Sequence, residues 1–186
     1  MRDRPLASAA ALVAAAALAG CAPTLSPERF ADTRPAVDPF VIFAGRTASQ
    51  GVLEAASGAP SERFRVQGTG RVEPDGTLVL DQRIAFEGKP ARERTWRLRR
   101  LDAHHFTASL TDASGPVSAE AYGALLHLRF RLKGVPLGAM EQWLYLQDDG
   151  RTLVNEAVVR VAGVPVRRLS ERITNLDLPP APPATR

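Results

Sequence analysis

The chain has 186 residues, 45% of them hydrophobic, with 24 Lys and Arg against 20 Asp and Glu, a net charge of +4 and one cysteine. That length fits one domain behind a short leader, and a lone thiol excludes both an internal disulfide and a multi-cysteine metal site. The small positive excess is spread along the chain rather than gathered in a block, which argues against nucleic-acid binding.

Arg2 and Arg4 precede an almost uninterrupted Ala, Leu and Val run over residues 6–19. The run is shorter than the roughly 20 apolar residues that cross a bilayer as a helix. A basic start, a short apolar stretch and small residues at its end describe a secretory leader. Leu18-Ala19-Gly20-Cys21 resembles the lipobox of bacterial lipoproteins. Residues 1–20 are therefore expected to be a signal peptide, and Cys21 the lipidated amino terminus that attaches the domain to a membrane. Each buried acyl methylene contributes roughly 0.8 kcal/mol, so two or three chains hold firmly. Ala22 rather than Asp follows the cysteine, which by the same resemblance implies the bacterial outer membrane, on its periplasmic face.

Residues 21–39 hold Pro23, Pro27, Pro35 and Pro39 and read as an extended, lipidated tether. From there the hydrophobic period is two, with turn residues at short intervals and no long helical stripe. Residues 40–44 and 49–56 are the first strand candidates. A Pro74-Asp75-Gly76 loop predicts a hairpin pairing Val72 with Leu78, Val66 with Ile84 and Phe64 with Phe86. Strands are expected over residues 91–101, 105–110 and 117–122. In the next, Ala124, Leu126, Leu128, Phe130 and Leu132 alternate with outward Leu125, His127, Arg129, Arg131 and Lys133. Asp149-Gly150 predicts a second hairpin, pairing Leu146 with Leu153, Leu144 with Asn155, Gln142 with Ala157 and Met140 with Val159. Its register points Gln142, Leu144 and Asn155 inward and Trp143 and Tyr145 outward. Residues 166–173 read equally as a last strand or a turn or two of helix. The Pro-rich end, residues 176–186, is expected to be disordered.

The fold expected is all-β: a single antiparallel up-and-down barrel of about 8–10 strands over residues 40–175, with a two-sheet sandwich as the alternative. A barrel of that size leaves room for side chains or one small ligand.

No nucleophile elbow, zinc-protease motif or P-loop is present, and no cofactor, metal site or catalytic residue is implied. His104, His105 and His127 read as solvated surface residues. More informative are polar residues on faces that should be buried: Gln82, Arg94, Gln142 and Asn155. They either satisfy one another, with or without a buried water, or line a cavity and address a ligand's polar end.

The motifs "FAG" at Phe43, "GVLE" at Gly51, "ERFRV" at Glu62, "LVLDQRIAFEG" at Leu78, "RTWRL" at Arg94, "QWLYLQDDG" at Gln142, and Asn155 follow one another in order. Together they resemble a proteobacterial lipoprotein family of unknown function, numbered 3833. The resemblance spans residues 40–165 and implies a lipocalin-like barrel with some connection to lipids. It carries no catalytic residues. This chain has Gln82 and Gln142 where the family pattern tends to a carboxylate, which argues against acid–base chemistry in the interior.

The leading functional expectation is a binding module that holds a fatty acid or similar hydrophobic ligand. Arg94 would sit near the cavity mouth against an anionic head group, with the acyl chain along Leu80, Ile84, Phe86, Leu128 and Phe130. An enzyme or accessory protein in acyl-chain modification is the rival, and a ligand-free structural or interaction module with a filled core the third reading. Protein partners are not legible.

Overall fold

The structure is a computed structural model that describes residues 25–181. Among these residues ten antiparallel strands follow in order: β1 (Gly45–Ala55), β2 (Pro60–Val72), β3 (Leu78–Phe86), β4 (Arg92–Arg100), β5 (His105–Leu110), β6 (Val117–Tyr122), β7 (Leu125–Arg131), β8 (Gly138–Leu146), β9 (Thr152–Val161) and β10 (Val164–Asn175). Each pairs with its neighbour in sequence, and β1 pairs with β10, so the sheet closes as an up-and-down barrel without edges. The sandwich alternative is set aside by that closure.

Local turn chemistry explains the register. Gly76 takes φ +79°, which glycine adopts without a Cβ penalty, and the three-residue loop sets Val72 opposite Leu78 and Phe64 opposite Phe86. Gly150, at φ +68°, does the same for the second hairpin, where Leu144 faces Asn155 and Gln142 faces Ala157. Both registers are as the sequence predicts. Residues 166–173 resolve into the middle of β10, which lies between β1 and β9.

The two ends of the barrel differ. One end carries the turns after β2, β4, β6 and β8 and is closed by the N-terminal segment. Residues 40–44, expected as a strand, instead contain the short helix α1 (Pro39–Ile42), capped by Asp38 through the Phe40 amide at 2.9 Å. Pro39 at the first turn and an Asp before it are helix-start residues, and they outweigh the apolar run that reads as a strand. Ile42 is buried in the main core with Leu78, Leu98, Leu126, Leu146 and Ile173.

The described part of the expected tether, residues 25–39, is likewise packed on the barrel. A 3-10 turn over Pro27–Phe30 lies against β6 and β7, the Val37 amide donates to the Gly123 carbonyl, and Thr33 Oγ1 accepts from the Ala124 amide. Two glycines admit this crossing. A Cβ on Gly123 would lie 1.9 Å from the Phe30 carbonyl oxygen, and one on Gly70 1.7 Å from that of Phe43.

The described C-terminal segment, residues 176–181, packs against the barrel. Asp177 binds Arg46 at 2.7 Å, Leu178 packs on the main core, and the Ala181 amide donates to the Asp149 carbonyl. The expectation of disorder from residue 176 holds for none of the described tail, because these backbone groups find partners on the barrel. Residues 1–24, with the expected leader and Cys21, and residues 182–186 lie outside the described residues.

Candidate functional site

Inside the barrel the apolar faces do not meet everywhere. Toward β5–β7 the interior is filled by Phe106, Leu110, Val117 and Phe130. Elsewhere a cavity of about 550 Å³ remains, within the range of small-molecule sites. Its walls include Phe64, Val66, Leu80, Ile84, Phe86 and Leu128. Small residues on β1 and β2 help to make this room. At Gly51 and Gly68 a side chain would collide with Phe64 and with Thr47 Oγ1 respectively.

The cavity runs from Leu78, Leu126 and Ile173 near the closed end to Arg92, Asp112, Lys133 and Val135 at the other. Arg92, Lys133 and Val135 are themselves exposed, so this second end is the mouth.

Arg94 sits one inward-facing step below Arg92 on β4. Its side chain is 18% exposed; Nε donates to Gln82 Oε1 at 3.0 Å, and the guanidinium lies 5.6 Å from the Trp96 ring centroid. Trp96 Nε1 donates to the same Gln82 oxygen at 2.9 Å, so one amide oxygen serves two donors and holds both side chains in place. Burial pushes the Arg94 guanidinium below its ordinary pKa, with Glu171 and Asp112 acting in the opposite sense. An arginine remains a cation at neutral pH through such a shift. The nearest carboxylate oxygen is on Asp112, at 4.0 Å. Arg94 is therefore held by Gln82 and faces Asp112.

Gln142 and Asn155 line the cavity, each 5% exposed or less. Gln142 Nε2 reaches only the Met140 sulfur, at 3.5 Å. Asn155 Nδ2 donates to Glu171 at 3.1 Å, while its Oδ1 is buried without a partner. Of the four polar residues only Arg94 and Gln82 bond to each other; Asn155 pairs with Glu171, and Gln142 meets only Met140.

Glu171 is the residue that sequence reasoning misses. It lines the cavity and also accepts from the Ser49 hydroxyl. The signal was present: Leu169, Glu171 and Ile173 alternate inward once residues 166–173 are read as a strand. The interior therefore keeps a carboxylate even though positions 82 and 142 are amides.

Phe130 faces the interior but does not line the cavity. It packs edge-on against Trp96, with centroids 5.8 Å apart, and fills space behind the wall. His127 also departs from expectation. It points outward, yet is 2% exposed, with Nδ1 3.0 Å from Glu120 and Nε2 3.0 Å from Glu141, and with Trp143 across its face at 4.0 Å. Both carboxylates come from neighbouring strands, β6 and β8, so no local spacing announces them. His104 and His105 are exposed, the first stacked on Tyr122 and the second bound to Asp102. No cluster of three or more metal-ligating side chains occurs among the described residues.

A family model described as "Protein of unknown function (DUF3833)" matches residues 15–174. No curated protein matches the chain. Solved structures that share the fold include a lyase and a protein of unknown function. An S-type phycobiliprotein lyase CPES from Guillardia theta aligns with TM-score 0.60 and 9% identity over 78% of this chain and 95% of its own. A protein of unknown function from the DUF3598 family of Nostoc punctiforme aligns with TM-score 0.57 and 12% identity over 77% of this chain and 51% of its own, about half its length. At such identities the likeness is one of fold, a lipocalin- or calycin-like barrel.

Proposed function

This chain belongs to the DUF3833 family, and on that footing we propose that it is an outer-membrane-anchored periplasmic lipoprotein whose barrel holds a fatty acid or similar amphiphile. The observation that carries this reading is the pairing of an apolar cavity of about 550 Å³ with one guanidinium just below its mouth. The acyl chain lies against Leu80, Ile84, Phe86 and Leu128, and an acidic head meets Arg94. A filled core, which the third reading requires, is at odds with the cavity.

The enzyme reading gains one titratable group from Glu171. Both of its oxygens already accept hydrogen bonds, from Ser49 and Asn155, an arrangement that fixes a side chain rather than frees it for proton transfer.

Arg94→Met tests the reading directly. Loss of a charged hydrogen bond, about 1.5–3 kcal/mol, corresponds to roughly 10- to 150-fold weaker binding of a long-chain carboxylic acid. The matching alcohol is expected to bind wild type and variant alike. Equal affinity of both proteins for the acid removes Arg94 from the site.

The anchor has its own test. The closed end is covered by residues 25–43, so an anchor on Cys21 leaves the opposite mouth unobstructed. Cys21→Ser is expected to abolish metabolic labelling with palmitate and to leave the chain with its leader or released from membranes. Normally processed, membrane-bound Cys21→Ser protein refutes lipidation.

A further inference from the structure

The mouth has an asymmetric rim. On one side the turns after β7 and β9 project together, tied by the Ala162 amide donating to the Leu137 carbonyl. Their tips present Val135, Leu137, Val164 and Val166 to solvent; Leu137 is 79% exposed and Val164 62%. Single exposed apolar residues are ordinary, but four on two joined tips form a patch.

The two turn segments themselves carry charge of one sign. Residues 131–138 and 160–168 contain Arg131, Lys133, Arg160, Arg167 and Arg168 and no carboxylate. Arg160 is bound to Glu141, while the ion pairs among the described residues include none for the other four. Backbone geometry points the same way. Leu137 and Ala162 are the non-glycine residues with positive φ among the described residues, at 54° and 49°. A leucine held left-handed with its side chain in water is costly twice over and is the kind of local cost found at binding surfaces.

The closed end offers a contrast. Leu25, Val41, Val72, Leu101 and Leu176 are exposed there too. They are scattered, and the carboxylates around them hold the local cations: Asp38 binds Arg100, Glu73 binds Arg71 and Arg97, and Asp177 binds Arg46.

We propose that the paired turn tips dock the mouth of the barrel onto an anionic lipid surface, with Leu137 and Val164 inserted among the headgroups and the flanking cations over them. Apolar side chains ringed by Lys and Arg are the chemistry of interfacial membrane binding. Charge complementarity selects the occupant: a neutral protein groove would leave those cations unmatched. The tips border the cavity, since Val135 and Lys133 line it. Docking therefore lets an acyl chain pass between bilayer and barrel without crossing water. This inference does not depend on Arg94 being the ligand contact.

The full-length chain with Cys21→Ser, whose own single thiol is thereby removed, carries an introduced cysteine at 137, 164 or 101 labelled with an environment-sensitive fluorophore. It is mixed with vesicles of phosphatidylcholine alone or with phosphatidylglycerol added. Probes at Leu137→Cys and Val164→Cys are expected to shift blue and to be quenched by spin-labelled lipid only on the anionic vesicles; the probe at Leu101→Cys is not. High salt reverses the shift, and Arg167→Glu with Arg168→Glu lowers it at least about tenfold at equal lipid. An equal response at 101, an equal response on neutral vesicles, or silence at 137 and 164 overturns the proposal. Failure here leaves the Arg94 affinity test untouched, so the two readings are judged separately.

Discussion

Replacing Asn175 by Leu is expected to destabilise the protein by at least about 3 kcal/mol, read as a lower urea midpoint at an unchanged slope. The side chain is 1% exposed and uses all four of its hydrogen-bonding positions. Its Nδ2 donates to the Ile42 and Ala44 carbonyls at 3.0 and 2.7 Å, and its Oδ1 accepts from the Asp177 and Leu178 amides at 2.8 and 3.0 Å. One residue at the end of β10 thereby joins the N-terminal plug to the C-terminal segment. Leucine is of similar size but satisfies none of these groups, and an unpaired buried donor or acceptor costs about 1–3 kcal/mol each. Asn175→Asp keeps the two accepted bonds but sets a carboxylate against two carbonyl oxygens, so it is expected to be destabilising as well. A loss of less than about 1 kcal/mol for Asn175→Leu, ordinary for a surface position, would show that the plug is held by other contacts.

The second large effect is expected at His127. His127→Leu preserves an apolar body under Trp143 but leaves Glu120 and Glu141 facing it without a donor. Glu120 retains Arg129 only at 3.7 Å, whereas Glu141 retains Arg160 at 3.0 Å. A buried polar group that loses its hydrogen-bond partner costs about 1–3 kcal/mol, and two partly exposed, partly re-paired carboxylates are affected here, so about 2–3 kcal/mol is expected. A double-mutant cycle with Glu120→Gln separates this from packing. The coupling is expected to exceed about 0.5 kcal/mol, because the two groups touch. Additive losses would mean that the imidazole contributes by its shape alone.

Much of the barrel is legible along the chain because strand pairing between sequence neighbours is a local problem. Gly76 and Gly150 set their turns, the turns set the register, and period-two alternation then dictates which side chains face inward. That is why Gln82, Gln142 and Asn155 could be placed in the interior and Trp143 outside it before any coordinates. The family resemblance likewise rests on short contiguous strings and is met by the family model over residues 15–174; the expected leader and lipobox rest on such strings too and fall outside the described residues.

What the sequence left open depends on which non-neighbouring elements meet. Closure of β1 on β10 decided barrel over sandwich, and it turned an ambiguous stretch into the strand that carries Glu171 into the cavity. The prolines of residues 25–39 and the tail to 181 look like linkers, since neither has a strong pattern of its own. They are ordered because Gly70, Gly123, Asn175 and Arg46, distant in sequence, supply space and partners. Phe130 shows the same limit: alternation assigns it to the interior, but only packing against Trp96 decides that it fills volume instead of bounding the cavity. His127 is the converse case, an outward residue buried by side chains from two other strands. Periodicity reports the direction of a side chain relative to its own sheet; burial, pairing and the shape of a void are set by what arrives from elsewhere in the chain.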